Sequence, residues 1–280
     1  MRKVVLPVVL VFVSLMFWTT GCTDRKPVAD STQVDSLIID SCKTDTLDQL
    51  ISERQMPKAA DELFDDFIFN FAANRKLQMS RIVFPLKKNI EGEVVYIKRK
   101  SWNMEHFFMD QGFYTLILDN NRQLQAVKDT TINNVVVEKI NLNAERVNQY
   151  NFQRIKGQWM LTSVATNSLK TNVNASFLLF YKHFSTDSVF QINSLNNPVM
   201  FTGPDPDDDF NTVSGEIVPE TWPAFSPELP SGTIYNIHYG QKSHNSNRKI
   251  FMLRGISNGM EMKMIFKRVD GKWKLIELAE

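Results

Sequence analysis

The chain has 280 residues, 43% of them hydrophobic and 22% charged, and its 20 Phe and 5 Trp can build a sizeable core. Its 32 basic and 31 acidic residues leave a formal charge of +1. This balance excludes the strong basic excess typical of nucleic-acid-binding proteins, so we expect no nucleic-acid partner.

The first residues have the pattern of a secretion signal. A basic pair precedes an apolar run over residues 4–18, and small polar residues then lead to Gly21 and Cys22. The run is shorter than the roughly 20 apolar residues that span a bilayer, which favours a signal peptide over residues 1–21. Gly21-Cys22 resembles the lipobox of bacterial lipoproteins, although Thr19 stands where leucine is usual, and the resemblance implies cleavage before Cys22 and lipidation of its thiol. The alternative is an ordinary signal peptide followed by a coincidental cysteine.

Residues 22–57 predict a flexible, lipidated tether, because they are rich in Asp, Ser and Thr and hold few aromatic residues. With Cys22 lipidated, Cys42 has no cysteine left to pair with in the chain. The triplets at 35–37 and 45–47 resemble the Asp-Ser/Thr-apolar O-glycosylation sequon of Bacteroidetes periplasmic proteins. The alternative reading of these triplets is solvated linker.

The rest of the chain contains an internal sequence repeat. Residues 137–166 align without a gap on residues 251–280, and the last fifteen positions share six identities: Phe152, Arg154, Gly157, Trp159, Leu161 and Ala165 with Phe266, Arg268, Gly271, Trp273, Leu275 and Ala279. Farther upstream the alignment pairs Phe71, Gln78, Pro85, Trp102 and Gly112 with Phe184, Gln191, Pro198, Trp222 and Gly232. A repeat of this length indicates a duplicated domain rather than a solenoid unit.

Each repeat predicts helices followed by antiparallel strands. Apolar residues recur at helical spacing at Leu63, Phe64, Phe67, Ile68 and Phe71, and again at Phe177, Phe180, Tyr181 and Phe184. Short β-prone segments follow. The last two are joined by Lys156-Gly157 or Asp270-Gly271, which predicts a two-residue hairpin turn. That turn sets Arg154 across from Trp159 and Arg268 across from Trp273, with each arginine over its indole ring.

Helices followed by a curved antiparallel sheet that ends on a G-x-W-x-L strand resemble the NTF2-like, or cystatin-like, α+β fold. Together with "FPL" at 84–86, Trp102 and the N-terminal signal, the pattern resembles a Bacteroidetes lipoprotein family of unknown function, DUF4348. The resemblance covers residues 58–280 and implies two tandem NTF2-like cone domains, 58–168 and 169–280. It implies no activity.

The resemblance also implies a pocket between the sheet and the helices of each cone. The polar and aromatic candidates for lining these pockets are Trp102, His106, Tyr114, Trp222, Tyr235 and His238. Tyr235 and His238 are three residues apart, so on a strand they face opposite sides and cannot form one dyad. We therefore predict pocket-rim or core roles for these residues and no catalytic residue. No cofactor is expected.

The segment "DPDDDFNTVSGE" over residues 205–216 spaces its oxygen-bearing side chains like a calcium loop. Asp205, Asp207, Asp209, Asn211 and Glu216 fall at ligand positions 1, 3, 5, 7 and 12. Phe210 stands where the loop needs glycine, and the flanking text is not helical. We predict a solvated acidic loop that is pinned by prolines, with Phe210 available to bury against the second domain or a partner, and no metal site.

The sequence therefore predicts a lipid-anchored protein of the bacterial cell envelope, in the periplasm or on an outer-membrane leaflet. We expect it to be a non-enzymatic binding or assembly module whose partners are the membrane, through its anchor, and an unknown small ligand or envelope protein. The alternative is a pocket enzyme, an isomerase or hydrolase, on one NTF2-like cone.

Overall fold

The computed structural model of the chain describes residues 61–242 and 244–280. The first repeat contains α1 (Phe64–Ala73), α2 (Arg75–Ser80), β1 (Ile82–Ile90), β2 (Glu93–Ile97), β3 (Phe113–Leu118), β4 (Asn134–Asn141), β5 (Arg146–Ile155) and β6 (Gln158–Ser168). The second contains α3 (Ala175–Phe184), α4 (Ser188–Asn193), β7 (Leu195–Asp205), β8 (Asp208–Ile217), β9 (Thr233–His238), β10 (Arg248–Gly255), β11 (Glu261–Val269) and β12 (Lys272–Ala279). Four short 3-10 helices lie at Arg99–Ser101, Asn121–Lys128, Leu169–Thr171 and Trp222–Ala224.

The predicted helices form where the apolar spacing places them. Phe64, Phe67, Ile68 and Phe71 of α1 are all buried against the sheet, whereas Leu63 precedes the helix as its N-cap. The second helix of each pair begins at a capping side chain in the same alignment position. Asn74 accepts a hydrogen bond from the backbone N–H of Leu77, and Asp187 accepts one from Phe190.

The hairpin predictions are confirmed. Arg154 pairs with Trp159 and Arg268 with Trp273, and the guanidinium carbons lie 4.7 and 4.8 Å from the ring centroids. The turn residues 156, 157, 270 and 271 all have positive φ, as a type I′ turn requires.

The strands of the described residues form one twelve-stranded sheet with the order β2-β1-β6-β5-β4-β9-β3-β10-β11-β12-β7-β8. The sheet is mixed, which corrects the prediction of antiparallel sheets. β1 runs parallel to β6, β7 to β12, and β3 to β9. In each of these pairs the partners are far apart in sequence, so no hairpin forces them to be antiparallel.

The two repeats exchange one strand. The alignment makes β3 and β9 equivalent, yet β3 of the first repeat pairs with β10 of the second, and β9 of the second pairs with β4 of the first. β3 and β9 meet at the centre of the sheet through a single aligned pair, Thr115 and Asn236. Side chains close this seam, since Thr115 Oγ1 donates to the Tyr235 carbonyl over 3.0 Å and Asn236 Oδ1 accepts from the Ile117 N–H over 2.9 Å.

The sheet carries one hydrophobic core on each face. The first core packs α1 on one face, and the second core packs α3 on the other. Strand β10 shows the division, because Ile250 and Met252 belong to the first core whereas Phe251 and Leu253 belong to the second. Each helix pair therefore has a separate space between itself and the sheet in which a pocket can form.

Candidate functional site

The two predicted pocket tryptophans have the same structural role. Trp102 Nε1 donates a hydrogen bond to Gln78 Oε1 and Trp222 Nε1 donates one to Gln191 Oε1, each over 2.8 Å. The Nε2 of each glutamine donates in turn to a carbonyl near the C-terminal end of α1 or α3, over 3.0 and 3.1 Å. Both indoles are buried, so in each repeat the tryptophan attaches the loop that follows it to the helix pair of that repeat.

Tyr235 lies in the first core, in a polar cluster around Glu105. One carboxylate oxygen, Oε1, accepts from Lys139 Nζ over 3.1 Å and from the Tyr235 hydroxyl over 3.3 Å. The other, Oε2, accepts from the Tyr150 hydroxyl over 2.8 Å. Burial raises the pKa of both tyrosines, which keeps them protonated as donors. Burial would lower the pKa of Lys139, but its contacts with Tyr235 and Glu105 outweigh burial and raise it.

Tyr114 belongs to a second polar cluster of the first core, around Asp65. The Tyr114 hydroxyl donates to Asp65 Oδ2 over 3.3 Å, and the Tyr239 hydroxyl donates to Asp65 Oδ1. Burial raises the pKa of Asp65, although the two tyrosine hydrogen bonds oppose this shift. Burial, together with the Asp65 charge, raises the pKa of Tyr114 to about 12. Asp65 therefore combines a raised pKa with two hydroxyl donors.

The two candidate histidines lie apart from these clusters. His106 is exposed in the loop that leads to β3. His238 is on β9, where side chains alternate between the two cores: Ile234 belongs to the second and Tyr235 to the first. His238 thus faces away from Tyr235, as predicted, and burial lowers its pKa. The structure does not bring the six predicted pocket residues into one pocket.

In the first repeat, aromatic side chains fill the space between the sheet and the loop over residues 103–112. Phe107 is buried with a φ of 51° and packs its ring 4.9 Å from that of Tyr150 and 6.0 Å from that of Phe71. Phe108, also buried, packs against Tyr114 at 5.5 Å. A left-handed backbone at a phenylalanine is strained and persists only where packing holds it. The 103–112 loop therefore closes this cone with two aromatic rings.

The second repeat has a cavity of about 970 Å³ in the corresponding place. We call it the α3-side cavity. Its apolar lining consists of Phe113, Leu229, Leu253, Met260 and Met262, with Pro227 and Pro230 in the loop. The exposed residues Glu228 and Glu280 also border it. The volume lies at the upper end of the range for small-molecule sites, and the mainly apolar lining is typical of them.

Sequence differences between the repeats explain why this space is open in the second repeat and filled by the 103–112 loop in the first. With Trp102 aligned on Trp222, the plug residues Phe107 and Phe108 fall opposite Pro227 and Glu228. With residues 137–166 aligned on 251–280, Lys139 and Tyr150 of the first cone fall opposite Leu253 and Met264. The second repeat thus lacks both the aromatic plug and the polar cluster. The sequence alone could have revealed these differences. The prediction instead selected polar and aromatic residues as the pocket lining and missed the apolar cavity.

The acidic segment forms a hairpin, which corrects the predicted loop. Asp205 ends β7, and residues 208–217 form β8. Asp205 accepts a hydrogen bond from the Asp207 N–H over 3.0 Å within the turn. Asn211 and Glu216 lie farther along β8, and an extended strand separates Asp208 from Glu216 by about 26 Å, so the proposed oxygen ligands Asp205, Asn211 and Glu216 do not surround one ion. Of the other two proposed ligands, Asp207 lies in the turn, and the side chain of Asp209 lies outside the described part of the structure.

Phe210 is 98% exposed. It is therefore not buried against the second domain, and its burial against a partner stays a prediction.

The family model described as Domain of unknown function (DUF4348) matches residues 43–280. The chain belongs to this family. A solved structure described as an NTF2-like protein from Bacteroides fragilis NCTC 9343 is similar to it, with 39% sequence identity and a TM-score of 0.74 over 80% of this chain and 98% of that one. This member of DUF4348 is therefore similar to an NTF2-like protein. The chain's own architecture is mixed α and β, with few helices and one large sheet. A comparison with curated proteins gave no match.

Several predictions fall on residues outside the described ranges. These are the signal peptide over 1–21, the lipidated tether over 22–57 with Cys22, and the two glycosylation triplets. Among the described residues, no helix has the length and apolar character needed to cross a bilayer. Within the same residues, no group of three or more His, Cys, Asp or Glu side chains is placed to hold a metal ion.

Proposed function

We propose that this DUF4348 protein is a lipid-anchored binding protein of the bacterial cell envelope, and that it holds a small ligand with a large apolar part in the α3-side cavity. The observation that carries the binding role is the cavity itself, about 970 Å³ lined by Phe113, Leu229, Leu253, Met260 and Met262. Burial of a ligand against these side chains supplies the binding free energy, at roughly 25 cal/mol per Å² of apolar surface. The anchor rests on Gly21-Cys22 after the short apolar run.

We also propose that residues 58–280 are a tandem of two NTF2-like units, 58–168 and 169–280. The support is the same order of helices and strands in both repeats, the same glutamine–tryptophan hydrogen bonds and the same terminal hairpin. The first unit, closed by Phe107 and Phe108, acts as the structural partner of the second.

The alternative of a pocket enzyme has no specific observation in its favour. Asp65, with its raised pKa and two tyrosine donors, has the chemistry of a general acid. It belongs to the polar cluster of the first core, however, and does not line the α3-side cavity. The cavity carboxylates of Glu228 and Glu280 are not hydrogen-bonded to each other within the described residues.

Native mass spectrometry of the chain purified from its own host tests the binding proposal. We expect a bound small molecule whose occupancy is strongly reduced in Met262→Trp, because the larger indole takes up space beside Leu253 that the ligand needs against the apolar lining. Val95→Trp, on the exposed strand β2, is the matched control and should retain the ligand. Equal ligand occupancy in Met262→Trp and Val95→Trp would refute the cavity as the binding site.

A further inference from the structure

The α3-side cavity has charged side chains in addition to its apolar lining. Four of the residues around it are charged: Glu228, Glu261, Lys263 and Glu280. Two of these charges are compensated. Glu261 accepts a hydrogen bond from Arg254 Nε over 2.8 Å, and Lys263 Nζ lies 2.9 Å from Glu277 Oε1.

The remaining two charges are both negative. Among the described residues, neither the Glu228 carboxylate nor the Glu280 carboxylate has a hydrogen-bond or ion-pair partner. Glu280 continues the alternation of β12, so it lies on the face of Leu278, which belongs to the second core. Glu228 stands in the loop beside Leu229, which packs against the same core. Both carboxylates therefore border the apolar lining.

We infer that the ligand of the α3-side cavity is an amphiphilic organic cation, an alkyl- or arylammonium compound. This inference rests on the function proposed above and specifies its ligand class. The apolar body of such a ligand contacts Phe113, Leu253 and Met262, while its ammonium group lies between Glu228 and Glu280. Charge complementarity selects this class, because an anionic amphiphile of the same shape meets two uncompensated carboxylates.

The lining suits ligands of variable shape. Met260 and Met262 have flexible, polarisable side chains that adapt to irregular apolar surfaces. Met262 is buried, whereas Met260 is 42% exposed at the edge of the cavity. We therefore expect selectivity for the charge of the head group and weak selectivity for the shape of the apolar part.

Three probes with the same chain length test the inference: octylammonium, octanol and octanoate. Binding to the full chain is followed by NMR through the methyl groups of Met260 and Met262. At low ionic strength we expect octylammonium to bind about tenfold more tightly than octanol, and octanoate more weakly than octanol, because exposed charge pairs make modest, salt-sensitive contributions. High ionic strength should reduce the differences.

Glu228→Gln/Glu280→Gln should bring the affinity for octylammonium down to that for octanol. The control Glu62→Gln/Glu93→Gln removes two exposed carboxylates outside the cavity and should keep the tenfold preference. Equal binding of octylammonium and octanol, or loss of the preference in the control, would overturn the cation assignment and leave the cavity as a neutral site. If none of the three probes shifts Met262, both the binding function and the ligand class are refuted.

Discussion

Lys249 Nζ lies 2.5 Å from Asp119 Oδ1, and both side chains are more than nine-tenths buried. Lys249 belongs to the second repeat and Asp119 to the first, so the ion pair joins the repeats where β3 meets β10. The ammonium group also donates to Asn174 Oδ1 over 2.6 Å and to the His244 carbonyl over 2.9 Å. The buried charge is therefore fully hydrogen-bonded, as a charge in a protein interior must be.

Removal of one partner of this pair should be costly. Lys249→Met leaves the Asp119 carboxylate buried without its cation, and we expect the free energy of unfolding to fall by about 3–5 kcal/mol. Urea unfolding of the purified chain measures this. The double variant Asp119→Leu/Lys249→Met should recover most of the loss, and Lys267→Met, at an exposed position of β11, should change little. A loss below about 1 kcal/mol for Lys249→Met would contradict the prediction.

The same carboxylate should make stability depend on pH. Burial alone would raise the pKa of Asp119, but hydrogen bonds from Lys249, the His244 N–H and Ser246 outweigh burial and lower it. A carboxyl group whose pKa is lower in the folded state stabilises the fold above its unfolded-state pKa, and this contribution disappears as pH falls through the folded-state value. We expect the free energy of unfolding to decline below about pH 4 more steeply in the natural chain than in Asp119→Asn. Parallel declines would contradict this role.

The glutamine–tryptophan hydrogen bonds should stabilise both repeats, and Gln78 should contribute more than Gln191 because it also accepts from the Glu105 N–H and donates to the Glu105 carbonyl, each over 3.0 Å. Gln78→Met and Gln191→Met each remove the acceptor for an indole N–H and the donor to a helix carbonyl. We expect each to lower the free energy of unfolding by about 1–3 kcal/mol, the cost of leaving a buried polar group unsatisfied. Because the sites share no partners, the double variant should give the sum within about 0.5 kcal/mol. Thermal or urea unfolding provides the comparison, and a loss confined to one repeat would argue against a stabilising role in both repeats.

Lipidation of Cys22 can be tested in the native host. The chain should incorporate labelled palmitate and partition into detergent, and Cys22→Ser should abolish both, because one thiol carries the predicted attachment. Cys42→Ser is the matched control and should behave like the natural chain. Membrane partitioning of Cys22→Ser at the natural level would mean that the chain is held at the membrane by another feature.

The acidic hairpin should not bind calcium tightly. Its oxygen-bearing side chains follow an extended strand instead of surrounding a point, so we expect calorimetric titration to give no affinity stronger than about millimolar, the weak end of calcium sites. Asp207→Ala serves as the comparison. A micromolar isotherm that disappears in this variant would show that the hairpin refolds around the ion.

Sequence reasoning was most successful where a local rule determines the structure. The apolar spacing in α1 and α3 and the turns at Lys156-Gly157 and Asp270-Gly271 are such rules, and the hairpin register follows from the turn length. The Arg154–Trp159 contact is a consequence of that register. These features involve residues close together in the chain, so periodicity and turn chemistry suffice.

The features that sequence reasoning missed depend on contacts between distant residues. The exchange of β3 and β9 leaves no local mark, because both strands have the β-prone composition that they would have without exchange. The α3-side cavity was missed because it is open where the second repeat lacks counterparts of Phe107 and Phe108. A search for residues that are present does not detect such a difference. Glu105 and Asp65 were also missed, since their tyrosine partners come from other strands, and Tyr239 comes from the other repeat.

The exchanged strands mean that a repeat of the sequence is not a unit of folding. Cleavage of the chain between Ser168 and Leu169 leaves one fragment with β3 and without β9, and the other with β9 and without β3. Neither fragment then contains both neighbours of its central strands, so each half depends on the other for its own completion. One repeat present alone can restore these pairings in two ways: it can exchange the strand with a second copy of itself, or it can pair its own β3 or β9 with its own neighbouring strand. The covalent duplication keeps the exchanged strand of each repeat at a high effective concentration near the other repeat, so the exchange requires no encounter between separate molecules.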